Sequence, residues 1–269
     1  MLRPVLAVAC LVWAMALSGC HEAAEGESLA RRQDPALRVA ISSSLADLAR
    51  PSSGLWGPGV AVTVSSDESA LDSLAMGYVD AAVVWGPLPE LVEGLSVEAI
   101  ASDALAFVVH PSNQTGPLQV EDLRGLFTGR IGAWDAFGQS VGSVVPVMRE
   151  KGAGTRSLLE SLVLKGELPA SGAPIAAADG AVLDYVSANP GAVGYVAAAN
   201  LREGVRALTI EERRPEPQRV REGEYPLMGG VWFAYRSAPE AAALLERLVS
   251  DDGRGLLGRW LAAAEWAPR

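Results

Sequence analysis

Apolar and polar positions alternate and cluster along this chain in two distinct rhythms. Leu37–Ile41 is a short β-branched run, and Val60, Val62 and Val64 alternate with smaller or polar residues, so both stretches predict strands. After the second, Ser66 or Asp67 caps a predicted helix whose inner face is Leu71, Leu74 and Ala75, with Gly77 as its stop. Ala81–Trp85 is wholly apolar and reads as a buried strand ended by Gly86-Pro87, and Ala104–His110 is a further extended run. Strand and helix take turns, which predicts an α/β fold with mixed, mostly parallel sheets covered by helices.

His110-Pro111-Ser112-Asn113 breaks this rhythm and marks a crossover. Beyond it, Val120–Phe127 predicts an amphipathic helix, Val141–Met148 a strand interrupted by Pro146, and Arg156–Lys165 a helix with Leu158, Leu159, Leu162 and Val163 on one face. Asp179 is placed as the cap of another helix ending at Asn189-Pro190-Gly191. Gly194–Ala198 reads as a buried strand, Glu211–Arg221 as a charged surface excursion, and Gly229–Tyr235 as a returning strand. Ser237-Ala238-Pro239-Glu240 has the form of a capping box before the last helices.

The N-terminus follows a different logic. Arg3, the apolar run Val5–Leu17 and then Ser18-Gly19-Cys20 are the parts of a secretory signal, and the run is short for a bilayer span, which needs about 20 apolar residues. Leu17-Ser18-Gly19-Cys20 also resembles a bacterial lipobox, in which Cys20 becomes the lipidated first residue of the mature chain. The other readings are an uncleaved anchor or an ordinary secretory signal. On the lipobox reading residues 1–19 are a signal peptide and residues 20–35 a lipidated N-terminus and tether, rich in Glu, Ala and Arg.

Composition removes several function classes. The formal net charge of −10 leaves no broad basic surface, so nucleic acid is not an expected partner. Cys10 and Cys20 are the only cysteines, and His21 and His110 the only histidines. No zinc spacing or Cys/His catalytic pair arises from them, and neither a metal nor another cofactor is expected. Gly138-Gln139-Ser140-Val141-Gly142 matches Gly-x-Ser-x-Gly, but it leads into a predicted strand where a nucleophile elbow joins a strand to a helix, and neither histidine sits in a triad context, which argues against a hydrolase. Any anion ligand would have to be held by short-range donors, because exposed charges are screened beyond roughly 8 Å.

Such donors are concentrated in Arg149-Glu150-Lys151-Gly152-Ala153-Gly154-Thr155, between a predicted strand and a predicted helix. Two glycines permit close backbone approach, a helix start offers unpaired N–H groups, Thr155 adds a hydroxyl, and Arg149 adds a planar guanidinium. On the residues alone the segment also reads as plain turn chemistry. It lacks the lysine and spacing of a nucleotide P-loop.

Four segments, in order, resemble the phosphate-binding receptors of bacterial ABC importers, a type II periplasmic binding protein family. Leu118–Trp134 is similar to their Phe-x-Gly-x-Ile-x-x-Trp element through Phe127, Gly129, Ile131 and Trp134. Val145–Thr155 resembles their strand and Arg-x-x-Gly-x-Gly-Thr loop, Pro190–Val196 their Gly-x-Ile-Gly-Tyr element, and Tyr225-Pro226-Leu227 their returning crossover. The resemblance implies a non-enzymatic two-lobed receptor, lipid-anchored outside the cytoplasm, that passes a small oxyanion to an ABC permease. Lobe I would comprise 36–109 plus 226–269 and lobe II 110–225, with crossovers near Val109–Pro111 and Tyr225–Leu227. Ligand donors would come from Arg149, Gly152, Ala153, Gly154 and Thr155 in one lobe and Ser42, Ser43 and Ser44 in the other. Asp67 is expected near the ligand.

The chain also departs from the pattern. Lys151 stands where the family has an acidic residue, Ala153 where it has serine, and Val84 and Trp85 where it has Ser-Asp. Trp85 reads either as an aromatic wall of an altered pocket or as a strand-end core residue. These departures leave open a second role, that of a sensor or assembly factor with a degenerate site.

Overall fold

The computed structural model describes residues 36–87, 94–259 and 261–263; the expected signal segment, Cys20 and the expected tether lie outside them. In chain order the elements are β1 (Leu37–Ser42), β2 (Val60–Ser65), α1 (Asp67–Ala75), β3 (Ala81–Gly86), β4 (Leu95–Val109) and α2 (Val120–Thr128). Next come β5 (Val145–Pro146), β6 (Met148–Arg149), α3 (Gly154–Leu158), β7 (Ile175–Ala176), α4 (Asp179–Ala188), β8 (Ala192–Ala197) and β9 (Arg206–Ala207). The chain closes with α5 (Pro217–Arg221), β10 (Met228–Arg236), α6 (Pro239–Val249), α7 (Asp251–Leu257) and β11 (Ala262–Ala263).

The main sheet runs β2-β1-β3-β10-β4-β8-β5, with β9 and β11 also pairing to β4, and β6 and β7 form a separate pair. The α/β expectation holds, but the pairing is more mixed than expected. β1 is parallel to β2 and β3, and β5 to β8, whereas β10 and β4 run antiparallel to each other and to their other neighbours. β4 itself passes from one part of the sheet to the other, so that passage uses no crossover helix and the pairing there is antiparallel.

β4 carries that crossing. Residues from Leu95 to Ala104 pair with β10, and from Leu105 onward the strand pairs with β8. The exchange of partners therefore occurs at Ala104–Leu105, within the strand and before the expected break at Val109–Pro111. Leu105 N–H donates to the Leu227 carbonyl (2.8 Å), and the Tyr225 hydroxyl to the Leu105 carbonyl (3.3 Å), so the returning crossover lies beside the outgoing one.

Burial explains the apolar run at β3, which has helices on both sides. Ala82 and Val84 pack with Ala70 and Leu74 of α1, while Ala81, Val83 and Trp85 face the larger core that includes Leu244 and Leu248 of α6. β2 is an edge strand: Val60 and Val62 pack against the core, while Val64 is 48% exposed. Ser66 caps α1, its hydroxyl accepting from Ser69 N–H, and Asp67 and Glu68 occupy the first turn, where the helix dipole favours them.

The motif around α2 is a packing device. Phe127 meets Phe107 and Tyr195 edge-on at 5.6 and 5.4 Å between ring centres. Trp134 Nε1 donates to the Gly191 carbonyl at 2.9 Å. Gly125 leaves room for Ile131, since a Cβ there would come within 2.6 Å of the Ile131 side chain.

Three further expectations change. The predicted Arg156–Lys165 helix begins at Gly154, and its second half, Leu159–Leu164, widens to a π-helical turn. The predicted capping box at Ser237 does not form: Ala238 is the N-cap, without a side-chain bond, and Pro239 at the first position needs no N–H partner. The charged excursion Glu211–Arg221 contains a short helix, α5.

Candidate functional site

The Arg149–Thr155 segment lies against the first part of the sheet, and the contact is intimate. Arg149 ends β6, where its backbone N–H donates to the buried Tyr195 hydroxyl at 2.9 Å, so the aromatic cluster around α2 fixes where the arginine begins. Burial pushes the Tyr195 hydroxyl pKa up, which keeps it neutral as that acceptor.

The guanidinium is completely buried. Nη2 donates to Ser43 Oγ (2.8 Å) and to Glu150 Oε1 (2.9 Å), and Nε donates to Glu150 Oε2 (2.9 Å). Nη1 reaches Ser44 Oγ (3.2 Å), Thr155 Oγ1 (3.3 Å) and the Asp179 carboxylate. One side chain thus ties the turn after β1 to the start of α3 and to the first turn of α4.

Asp179 does not cap α4 as expected. Ala178 holds that position without a side-chain bond. The carboxylate is aimed inward, accepting from Ala197 N–H (2.8 Å), Asn200 Nδ2 (2.7 Å) and Ser44 Oγ (3.3 Å) as well as from Arg149. Four polar partners around one buried carboxylate make this a network in which every removal leaves another group uncompensated.

Asp67 forms the second half of the site. Its carboxylate accepts from Trp85 N–H and from Gly154 N–H, both at 2.7 Å, and is 6% exposed. The Ser42 hydroxyl and the Arg149 charge favour its ionised form from nearby. Burial nevertheless outweighs these four contributions and raises the Asp67 pKa above its ordinary value.

The glycines of the turn serve this contact. Gly152 has φ +86°, and a Cβ there would meet the Glu68 side chain at 2.5 Å. A Cβ at Gly154 would fall 1.6 Å from the Trp85 carbonyl oxygen, which leaves glycine as the only residue that fits. The close approach expected from these glycines is therefore made to the chain's own α1 and β3.

All the expected ligand residues assemble here except one side chain. Ser42, Ser43, Ser44, Asp67, Arg149, Gly152, Ala153, Gly154 and Thr155 gather at one junction, Ala153 being buried as the N-cap of α3. Trp85 contributes its backbone only. Its indole packs over Gly229, where a Cβ would come within 2.8 Å of the ring, and Nε1 donates to Asp103 Oδ2 at 3.0 Å. The indole is buried in the core, as the strand-end reading expects. Lys151 is exposed. Asp179 and Asn200 were not anticipated as members, because their partners lie in other elements and no local spacing announces them; Glu150 lies inside the motif and pairs with the adjacent Arg149.

Asp103 sits where β4 changes partners, buried and with its pKa pushed up to about 6 by desolvation. It lines a cavity of about 280 Å³ with Ala198, Ala199, Leu201, Pro215, Pro217 and Val220. Ser44 reaches a smaller one of about 10 Å³, room for a single water. Trp85 connects Asp103 to Asp67, bonding one through its indole and the other through its backbone.

The family model described as the PBP superfamily domain matches residues 40–252. The phosphate-binding protein PstS of Bacillus subtilis is 30% identical over 172 residues, which is 60% of this chain and 56% of that protein. The chain thus spans about half the length of the curated relatives it matches. Among solved structures, a putative phosphate ABC transporter substrate-binding protein with bound phosphate from Clostridium perfringens superposes with a TM-score of 0.77, at 20% identity, over 85% of this chain and 100% of that one. An ABC-type phosphate transport receptor from Vibrio cholerae gives 0.69, at 24% identity, over 83% and 98%.

Proposed function

The chain belongs to the PBP superfamily, and from that premise we propose that it is an extracytoplasmic solute-binding protein for a small oxyanion, phosphate or a relative. The observation that carries this reading is Arg149: a guanidinium held at the start of α3, beside Thr155, facing Ser43 and Ser44 across the junction. Charge-assisted donors and main-chain amides in a dry site are what oxyanion binding requires. Lobe I (36–109 plus 226–269) and lobe II (110–225) would close on the solute about β4 and the Tyr225–Leu227 crossover, and an ABC permease would read the closed state. Cys20 would carry the lipid that tethers the protein to the membrane; fatty-acid labelling abolished by Cys20→Ser tests that part.

A thermal-shift screen of phosphate, sulfate, phosphonates, molybdate and tungstate tests the binding. At one hundred times its dissociation constant a ligand adds about 2.7 kcal/mol, which raises the midpoint by roughly 5–10 °C in a chain of this size. No shift with any anion at millimolar concentration removes the reading.

A second role is favoured by a specific observation. Asp67, Asp179 and Glu150 hold donors that an oxyanion would use, which suits a sensor or accessory protein with a weakened site.

A further inference from the structure

Asp67 has the surroundings of a bound anion. Its two oxygens take the amide at the start of α3 and the amide of Trp85, the Ser42 hydroxyl joins them, and Arg149 supplies positive charge nearby. Two main-chain N–H groups, one hydroxyl and a nearby guanidinium make a complete oxyanion cradle. What fills it is a carboxylate of the same chain, delivered by α1.

The delivery is well supported. Asp67 opens α1 directly after its Ser66 cap, so its backbone is fixed by the helix start. The neighbouring Glu68 N–H donates to the Gly152 carbonyl at 3.0 Å, which clamps the same helix end to the anion turn. The absence of a side chain at Gly154 lets the carboxylate reach its amide: a Cβ there would lie 3.1 Å from Asp67 Cγ.

We propose that Asp67 is a tethered competitor of the solute: an affinity- and specificity-determining residue that occupies the Gly154 and Trp85 amides and must leave them before an oxyanion can bind. This rests on the oxyanion reading of the site. Once displaced, the carboxylate stays tethered beside the cradle and repels dianions more strongly than monoanions. The tethered carboxylate needs no second molecule, so its effective concentration exceeds that of dilute free solute.

The test compares the protein with its Asp67→Ser and Asp67→Asn forms by two readouts. The first is hydrogen exchange of the Gly154 and Trp85 amides without added anion. The second is calorimetric titration with inorganic phosphate and sulfate at pH 7.5. Asp67→Ser is expected to speed exchange of both amides and to tighten phosphate binding about tenfold or more, the change that corresponds to one charge-assisted hydrogen bond released to the ligand. Asp67→Asn keeps the shape and one acceptor oxygen, so it gives a smaller change in the same direction and serves if the serine form fails to fold. Unchanged exchange with unchanged or weaker phosphate binding overturns the proposal while leaving the oxyanion reading in place. Faster exchange with no anion bound by any form keeps Asp67 as the occupant of the amides but overturns its role as competitor, together with the oxyanion reading.

Discussion

Replacing Arg149 by alanine is expected to destabilise the protein by about 3–5 kcal/mol, the usual result of removing one partner of a buried ion pair. The reason is what remains. Asp179 is 2% exposed, and without the guanidinium its charge keeps only Ala197 N–H, Asn200 and Ser44 as partners. Ser43 and Glu150 lose a donor at the same time, and the link between the β1 turn and α3 is cut. Arg149→Lys should recover only part of this, since an ammonium cannot address Ser43, Ser44, Thr155, Glu150 and Asp179 from one planar fork. Adding Asp179→Asn to Arg149→Met should cost less than the two single changes summed, because the second removes the charge that the first orphans. Urea denaturation of these variants, both single changes included, and of the native protein measures each difference. A loss below about 1 kcal/mol for Arg149→Ala would mean that the network is wetter and looser than its burial implies.

The second large effect is a pH dependence carried by Asp103. Its folded pKa of about 6 lies above the ordinary carboxyl value of 3.8, so the folded state binds its proton more tightly than the unfolded chain does. Its stabilising contribution is therefore complete below about pH 4 and is lost as pH rises through about 6. The full excursion is worth about 3 kcal/mol. Asp103→Asn has no proton to release. The stability difference between the variant and the native protein should move by that amount in favour of asparagine between pH 4 and pH 7.5. Asp67, whose pKa is also raised by burial, is present in both proteins and drops out of the comparison, as do Asp80 and Glu121, whose pKa values hydrogen bonds from Arg38 and Arg130 lower. Parallel stability–pH curves for the two proteins would show that water reaches Asp103 freely. Because Trp85 joins Asp103 to Asp67, the same change tests whether charge at the strand crossing is felt at the amides of the site.

Much of the fold was legible along the chain because local rhythm and tertiary burial agree there. The unbroken apolar run at Ala81–Trp85 became the doubly covered β3, and Phe127, Ile131 and Trp134 became the packing that positions Tyr195 and through it Arg149. The antiparallel run of β10 beside β3 and β4 was not legible, since strand direction depends on a connection rather than on residue pattern. Nor was the fate of Asp179. An aspartate in a first helical turn reads as a cap, and only the arrival of Arg149 and Ser44 from distant segments turns it inward. The site was half legible for the same reason: Arg149, Glu150, Gly154 and Thr155 sit in one compact motif, while Asp67 and Asp179 reach it from two separate helices. The glycines show the limit most clearly. Their meaning as points of close approach was readable at Gly152 and Gly154; what approaches them was not.

Where a bound anion sits is the most direct question to put to this protein. Crystals grown with the tightest-binding oxyanion from the thermal-shift screen should show it against the Gly154 amide, Arg149 Nη1 and Thr155 Oγ1, with the Asp67 carboxylate swung away from Gly154. An anion found instead on the outer surface, with Asp67 still on both amides, would contradict the account.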